Sequence, residues 1–180
     1  MRIKWFSLIR ITGLILVLLY HFFQTIFPGG FFGVDVFFTF SGFLITSLLL
    51  EEFSQKGEID IIGFFRRRFY RIFPPVVMMV LVIMPFTLMV RQDYVAGIGA
   101  QIAGVLGFMT NFYEMLTGGS YESQFIPHLF VHNWSLAVEV HYYILWGLAV
   151  WILSKRYKTS GQLRGTVFIL SSAAFLISFL

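Results

Sequence analysis

The sequence predicts an all-α protein, a polytopic transmembrane helix bundle of about five to six spans with one re-entrant segment. Hydrophobic residues make up 58% of the 180 residues and charged residues only 12%, whereas an ordinary soluble domain is about 25% charged. A membrane-spanning helix needs roughly 20 mostly apolar residues, so this length leaves no room for a sizeable aqueous domain. The chain has no cysteine, which excludes a disulfide framework, a thiolate zinc site and a cysteine nucleophile.

Six apolar runs are each about long enough to cross the hydrocarbon core of a bilayer. They are residues 5–27, 31–50, 72–90, 95–112, 136–153 and 165–180. The first run contains Arg10 and His21, and no small-residue cleavage pattern follows it, so we interpret it as a retained helix and not a signal peptide. The last run reaches Leu180 without a polar tail. We therefore expect the chain to be part of a longer protein.

The positions of lysine and arginine predict the orientation of the bundle. Arg2 and Lys4 favour a cytoplasmic N-terminus, and after two crossings the charged connection 51–71 is cytoplasmic again. If every later run crossed, the basic connection 155–164 would lie outside, against this rule. We therefore expect a segment between residues 95 and 133 to be re-entrant or interfacial and to border an enclosed site. The same rule accounts for the net charge of +4, and we expect no nucleic-acid partner.

Ionisable residues inside membrane spans are costly, and they are therefore candidates for function. The apolar runs contain Arg10, His21, Asp35, Glu139 and His141. Arg10 and His21 are eleven residues apart, which places them on nearly one helix face with a separation of roughly 16 Å. This spacing predicts Arg10 at the cytoplasmic interface and His21 near mid-bilayer, where an imidazole can act as nucleophile or general base. The alternative is a snorkelling arginine and a histidine that is hydrogen-bonded inside the bundle.

Asp35 follows a glycine-rich turn at the start of the second run. We expect its carboxylate to contact His21 or Arg10 across the hairpin between the first two spans. Such a contact would be either a catalytic dyad, in which the carboxylate orients the imidazole, or a structural ion pair.

Four arginines interleaved with aromatic residues lie before the third apolar run. They are Arg66, Arg67, Arg68 and Arg71. Membrane orientation and anionic lipids would explain positive charge here, but lysine would serve equally well. Arginine beside aromatic rings suits bidentate phosphate recognition with stacking. The run therefore predicts a phosphorylated cytoplasmic ligand such as a nucleotide-bearing acyl donor.

Three histidines, a serine and a glutamate gather around the start of the fifth run. His128 and His132 have the helical spacing of metal ligands, but further ligands are missing nearby, so we expect no metal site. Ser135 and Glu139 share a helix face, which favours a hydrogen-bonded inner face over a serine nucleophile. The GxSxG elbow of serine hydrolases is absent from the sequence.

Four short motifs follow one another along residues 9–143. They are Arg10 with ten residues before His21, Gly33-Val34-Asp35-Val36-Phe37-Phe38 leading to Ser41-Gly42-Phe43-Leu44-Ile45, Arg68-Phe69-Tyr70-Arg71 before Pro74, and Asn133-Trp134-Ser135-Leu136-Ala137-Val138-Glu139. In order and spacing they resemble the acyltransferase 3 family of membrane O-acyltransferases, and within it the peptidoglycan O-acetyltransferases of Gram-positive bacteria. Residues 1–180 would form the N-terminal part of such a transmembrane domain. Val140-His141 stands where many members carry Glu-Gln.

The resemblance implies that an acetyl or other acyl group moves from cytoplasmic acetyl-CoA to hydroxyls of a cell-envelope carbohydrate, peptidoglycan above all. It implies a multi-pass protein of the bacterial cell membrane, with membrane lipid, acyl-CoA and an envelope polysaccharide as partners. Acetyl-CoA is a donor substrate, so no permanently bound cofactor is expected. Family members are longer, so the resemblance also implies a C-terminal half and an extracellular SGNH-type domain for the acceptor.

The resemblance also assigns roles to individual residues. It implies that His21 is the catalytic histidine and that Asp35 and Glu139 are acidic residues of the catalytic site. The acyl-CoA would be held by Arg10, Arg68 and Arg71, with Arg67 beside them in the arginine run. An acceptor or structural site would comprise Ser41, His132, Asn133, Trp134 and Ser135.

Two other classes of protein compete with an enzyme. A non-catalytic carrier for a phosphorylated or lipid-linked sugar would hold phosphate at the arginines, but the internal symmetry of such carriers is not visible in the sequence. A purely structural membrane subunit would give no reason for the cost of the buried ionisable residues. Competition by free coenzyme A separates an enzyme from a sugar carrier.

Overall fold

The computed structural model of the chain describes residues 4–89, 95, 97–117 and 128–178. Within these residues the protein is helical and has no strand, which confirms the all-α fold class. The helices are α1 (Lys4–Phe22), α2 (Gly33–Lys56), α3 (Ile61–Ile83), α4 (Ile98–Leu106), α5 (Thr110–Thr117), α6 (Trp134–Ser154) and α7 (Ser160–Ile177). Short 3-10 helices occupy Pro28–Phe32, Met84–Met89 and Val131–Asn133.

Four helical segments of the described chain are long and apolar enough to cross a membrane. They are Pro28–Lys56, Ile61–Thr87, Val131–Ser154 and Ser160–Ile177. Helix α1, with 19 residues, adds a fifth helix with an apolar stretch from Leu8 to Phe22. The described helices therefore form a polytopic membrane bundle, as the composition predicts.

Helices α1 and α2 form a hairpin in which the two backbones touch. A Cβ atom at Gly30 would lie 2.3 Å from the Leu16 carbonyl oxygen, and one at Gly33 would lie 2.5 Å from the Gly13 carbonyl oxygen. Any side chain at either position would force the helices apart. Pro28 begins the short 3-10 helix of the turn. The predicted hairpin with a glycine-rich turn before the second span is therefore confirmed.

The predicted charged connection 51–71 is wrong, because only residues 57–60 connect α2 to α3. Gly57, with φ of 74°, ends α2 in the left-handed conformation. Asp60 begins α3 by accepting a hydrogen bond of 2.9 Å from the Gly63 N–H. The charged residues instead lie within the two helices. Glu52 of α2 pairs with Lys56 on the same helix at 2.9 Å and with Arg67 of α3 at 3.4 Å. The later connection is likewise shorter than predicted, because α7 begins at Ser160 and contains Arg164.

The apolar run 95–112 is not one span. Helix α4 ends at Leu106, and α5 begins at Thr110 after a break at which Phe108 has a φ of 54°. Nine residues rise only about 14 Å, too short to cross a bilayer. This agrees with the expectation that a segment in this region does not span the membrane. Residue 96 and residues 118–127 of that prediction lie outside the described residues.

The core of the bundle shows which helix ends lie together. Leu49 and Phe53 of α2, Phe64 of α3, Val150 of α6 and Leu163 of α7 belong to one buried cluster. The end of α2 and the end of α6 therefore meet the beginnings of α3 and α7. This arrangement gathers the basic residues of 56–67 and 155–164 at one end of the bundle, which we call the basic end and which the orientation rule favours as the cytoplasmic one.

Candidate functional site

A cavity of about 330 Å³ lies between α1, α2, α3 and α6. We call it the arginine cavity. Its polar lining consists of Arg10, Ser41, Arg68, Arg71, Glu139 and Tyr143. Three of the four arginines assigned to acyl-CoA, together with Glu139 and Ser41, thus border one space, although they come from four separate helices.

Two of the α3 arginines line this cavity, and Arg67 does not. Arg68 and Arg71 are three residues apart, so their side chains leave the helix about 60° from one another. Arg67 is about 100° from Arg68 but only about 40° from Arg71, so rotation about the helix axis alone does not exclude it. It is not part of the cavity lining, and its guanidinium lies 3.4 Å from the Glu52 carboxylate.

Aromatic rings support two of the three cavity arginines. The Arg10 guanidinium lies 5.4 Å from the centre of the Phe40 ring. The Arg68 guanidinium lies 5.5 Å from the Phe64 ring centre and 5.8 Å from that of Tyr143. Ring faces attract cations without neutralising them.

Positive charge predominates in the arginine cavity, where three guanidinium groups face the single carboxylate of Glu139. In the described part of the chain, no carboxylate forms an ion pair with Arg10, Arg68 or Arg71. Three guanidinium groups around one small space, each with planar N–H donors, favour an anionic guest such as a phosphate.

Glu139 of α6 accepts two hydrogen bonds at the same carboxylate oxygen, Oε1. The donors are the hydroxyls of Ser41 on α2 and of Tyr143, one turn further along α6. Ser41 is 7% exposed and Tyr143 is 9% exposed. Tyr143 is a site residue that the sequence analysis missed, although its position four residues after Glu139 placed it on the same helix face. The Ser135 hydroxyl, which also shares this face, instead donates to the His132 carbonyl at 3.4 Å.

His21 lies in the last turn of α1. Its ring centre lies 4.8 Å from that of His132, just before α6, and the two rings meet edge to face. We call these residues the histidine pair. Both are exposed, at the end of the bundle opposite the basic end. Helix α1 ends at Phe22, five residues before the end of the predicted run, so His21 lies near a helix end, and its depth near mid-bilayer stays a prediction.

One hydrogen bond of His21 favours a particular tautomer of its ring. The ring Nδ1 lies 3.2 Å from the carbonyl oxygen of Val17. Because a carbonyl oxygen only accepts, Nδ1 donates this hydrogen bond, and in the neutral ring Nε2 carries the lone pair.

Asp35 lies away from both of its expected partners. It is exposed in the first turn of α2, and among the described residues it contacts neither His21 nor Arg10 through a hydrogen bond or ion pair. Gly33 and Phe37 face α1 at Gly13, and a residue midway between them points about 200° away. Its catalytic assignment stays a prediction from the family motif.

The other motif residues at the start of α6 have structural contacts. The Asn133 side chain donates to the Phe130 carbonyl at 3.3 Å, and the Trp134 ring packs edge to face on Phe38 with centres 6.3 Å apart. His128 lies 2.8 Å from the Glu114 carboxylate. His128 and His132 therefore have different partners, although their spacing is that of metal ligands.

Two apolar spaces adjoin the arginine cavity. A cavity of about 500 Å³ shares Arg68, Ile72 and Tyr143 with it, and we call it the aromatic cavity. Its aromatic lining includes Phe65, Phe69, Phe73 and Phe108. A groove of about 1270 Å³ between α2, α6 and α7, the lateral groove, shares Ser41 and Glu139 with the arginine cavity.

The fold and the site define a helical membrane protein that has a cationic cavity and, on the same face of α1, a histidine pair. The family model described as "Acyltransferase domain", that of the acyltransferase 3 family, matches residues 3–180, and the chain belongs to this family. The O-acetyltransferase OatA of Staphylococcus aureus strain NCTC 8325 / PS 47 is 32% identical over 163 residues, and the same figures hold for OatA of strains COL and MRSA252. The match covers 91% of this chain but only 27% of each relative. No solved structure matches the chain.

Proposed function

We propose that the protein is a membrane O-acetyltransferase that moves acetyl groups from cytoplasmic acetyl-CoA to hydroxyls of a cell-envelope carbohydrate, with peptidoglycan as the first acceptor to test. The protein would lie in a bacterial plasma membrane with its N-terminus and its basic end in the cytoplasm. The observation that carries the proposal is the position of Arg10 and His21 on one face of α1, with the first in the arginine cavity and the second in the histidine pair. Membership of the acyltransferase family and the O-acetyltransferase relatives support it.

The donor half of the proposal rests on the arginine cavity. The diphosphate of coenzyme A is opposite in charge to the three guanidinium groups of Arg10, Arg68 and Arg71, and guanidinium N–H donors suit phosphate oxygens. The adenine ring of the same molecule suits the adjoining aromatic cavity, where Phe69 and Phe73 stack with ring centres 4.7 Å apart. A nucleotide-bearing donor combines phosphates with an aromatic base, and it would therefore account for a cationic cavity beside an aromatic one.

The acyl half of the proposal rests on distance. Arg10 and His21 are separated by eleven residues of one helix, which is roughly 16 Å along the axis. Acetyl-CoA carries its thioester on a long flexible arm, so phosphates held near Arg10 leave the acetyl group free to approach His21. A cytoplasmic donor would thus deliver its acetyl group toward the end of the bundle that faces away from the cytoplasm.

His21 is proposed to act as a relay. Its Nε2 lone pair attacks the thioester carbonyl, the carbon–sulfur bond breaks, and coenzyme A leaves as a thiolate. The resulting acetylimidazolium keeps its Nδ1 proton, and the Val17 carbonyl, 3.2 Å from Nδ1, stabilises that positive charge. An acceptor hydroxyl then takes the acetyl group and releases neutral His21.

Transfer of label from radioactive acetyl-CoA tests the proposal in membrane vesicles that contain the full-length gene product. We expect label on the protein and on added peptidoglycan, and we expect His21→Ala to abolish both while the protein remains in the membrane. The 180-residue chain in parallel vesicles shows whether it is active by itself. Binding of free coenzyme A without any label transfer would contradict the proposal, and binding of a phosphorylated sugar that coenzyme A does not compete with would indicate the carrier.

A further inference from the structure

We infer that His132 is a second catalytic residue, the general base that deprotonates the acceptor hydroxyl when the acetyl group leaves His21. The inference rests on the proposed acetyl relay through His21. It assigns the two exposed rings of the histidine pair to successive half-reactions, with His21 acting on the donor and His132 on the acceptor.

The geometry of the pair carries the assignment. The ring centres are 4.8 Å apart, and the rings meet at 69°, so an edge of one ring faces the other. A hydroxyl that approaches an acetyl group on His21 is therefore within reach of a nitrogen of His132. A general base needs this proximity to the proton that it removes. Exposure of both rings leaves room for a carbohydrate acceptor.

The segment that carries His132 is held in place from several sides. The Phe130 N–H donates to Oε1 of buried Gln101 on α4 at 3.4 Å, and the Asn133 side chain donates to the Phe130 carbonyl at 3.3 Å. Ser135 donates to the carbonyl of His132 itself at 3.4 Å. The short α4 and the start of α6 thus fix the backbone of His132 opposite α1, as a catalytic base requires.

The charges of the step balance. The hydroxyl oxygen of the acceptor forms a bond to the acetyl carbon, the bond from that carbon to Nε2 of His21 breaks, and its electron pair returns to the His21 ring. The hydroxyl proton passes to His132. The acetylimidazolium on His21 disfavours a second positive charge beside it, which keeps His132 neutral and able to accept that proton. The proton then leaves His132 to solvent, and the coenzyme A thiolate takes a proton from the cytoplasm.

The test separates the two half-reactions in vesicles that contain the full-length gene product and radioactive acetyl-CoA. Acetyl label on the protein measures the first, and label on added peptidoglycan fragments measures the second. For His132→Gln we expect glycan transfer to fall by about 100-fold or more, the usual effect of removing a general base, while label on the protein stays at or above the wild-type level. His21→Gln should lose both labels. His141→Gln is the matched control, because its ring packs on Phe112 and not on His21, and it should keep both.

A second measurement excludes a merely structural role. Added imidazole should restore part of the glycan transfer of His132→Ala, since a small base can occupy the space of the missing ring, and it should not restore His21→Gln. Unchanged transfer by His132→Gln, or loss of protein label together with transfer, would overturn the inference while leaving the relay through His21 in place. Absence of label from the wild-type protein would overturn the proposed function and this inference with it.

Discussion

The hydroxyl of Ser41 on α2 donates a hydrogen bond to the carboxylate of Glu139 on α6. The bond connects residues 98 positions apart in the chain and joins two walls of the arginine cavity. Tyr143 donates to the same oxygen, so the carboxylate is held from both its own helix and a neighbouring one. The contact accounts for an acidic residue in an apolar helix, because it satisfies the carboxylate in place of water.

Replacing Ser41 with alanine should therefore destabilise the bundle by about 1 kcal/mol, within the range of interhelical hydrogen bonds in membranes. Ser171→Ala is the control, because the Ser171 hydroxyl donates only within its own helix, to the Phe168 carbonyl at 2.9 Å. Equilibrium unfolding in mixed micelles measures both variants. Equal free-energy changes would show that the contact with Glu139 adds nothing to stability.

The arginines of α3 should differ in their effect on coenzyme A. Arg68→Gln and Arg71→Gln should each weaken its binding by about tenfold or more, the size of a lost charge-assisted hydrogen bond to phosphate. Arg67→Gln removes the same charge from the same helix but outside the cavity. It should change the affinity for coenzyme A less than twofold, because a solvent-screened surface charge contributes little. Titration calorimetry on detergent-solubilised protein gives the three affinities. Equal losses for all three variants would indicate a non-specific effect of charge.

The aromatic cavity should distinguish coenzyme A from phosphopantetheine, which lacks the adenine ring. Phe69→Leu should weaken coenzyme A by about fivefold or more, because stacking on a base contributes about 1–3 kcal/mol. Phosphopantetheine should bind the variant as it binds the wild type. Phe86→Leu changes an equally exposed ring outside the cavity and should affect neither ligand. Parallel losses for both ligands would place the adenine elsewhere.

The glycines of the bundle should respond in opposite directions to alanine. At Gly33 a Cβ would meet the Gly13 carbonyl oxygen at 2.5 Å, so Gly33→Ala should cost about 1–3 kcal/mol through overpacking. At Gly165, inside α7, no atom lies within 4 Å of an added Cβ, and Gly165→Ala should stabilise by about 0.5–1 kcal/mol through helix propensity. The unfolding midpoint of each variant reports the sign. A stabilised Gly33→Ala protein would show that the α1–α2 contact is looser than described.

Single cysteines test the orientation directly, since the chain has none of its own. A cysteine at Lys158, at the basic end, should react with a membrane-impermeant maleimide only after the cells are opened. A cysteine at Gln24, in the turn beside the histidine pair, should react in intact cells. Labelling of the Lys158 cysteine from outside intact cells would contradict the orientation.

The helical class and the apolar segments could be predicted because burial in lipid leaves a strong compositional signal. The helix boundaries could be predicted less well, since they depend on the contacts of individual side chains. Glu52 continues α2 through ion pairs with Lys56 and Arg67, whereas a count of charges predicts a loop there. The break between α4 and α5 depends on the left-handed backbone at Phe108. Phenylalanine rarely adopts this conformation, so its presence in the sequence does not predict a break there.

The candidate site shows the same limit at the level of contacts. Spacing along α3 could place Arg68 and Arg71 on one face, and spacing along α1 could align Arg10 with His21. Sequence separation carries no information on contacts between distant segments, so the partnership of His21 with His132 was not predicted. The expected contact of Asp35 is not formed because of its position around α2. The helix face that carries Gly33 packs against α1, and Asp35 points about 200° away from that face.

Ser41 and Glu139 line the lateral groove as well as the arginine cavity, so one pair of side chains forms a partition between two compartments. A ligand that rotates the Glu139 carboxylate from within the arginine cavity or the lateral groove also changes the lining of the other space. Thermodynamic linkage makes this effect reciprocal. If a ligand in the groove changes the binding affinity of the cavity by some factor, a ligand in the cavity changes the binding affinity of the groove by the same factor.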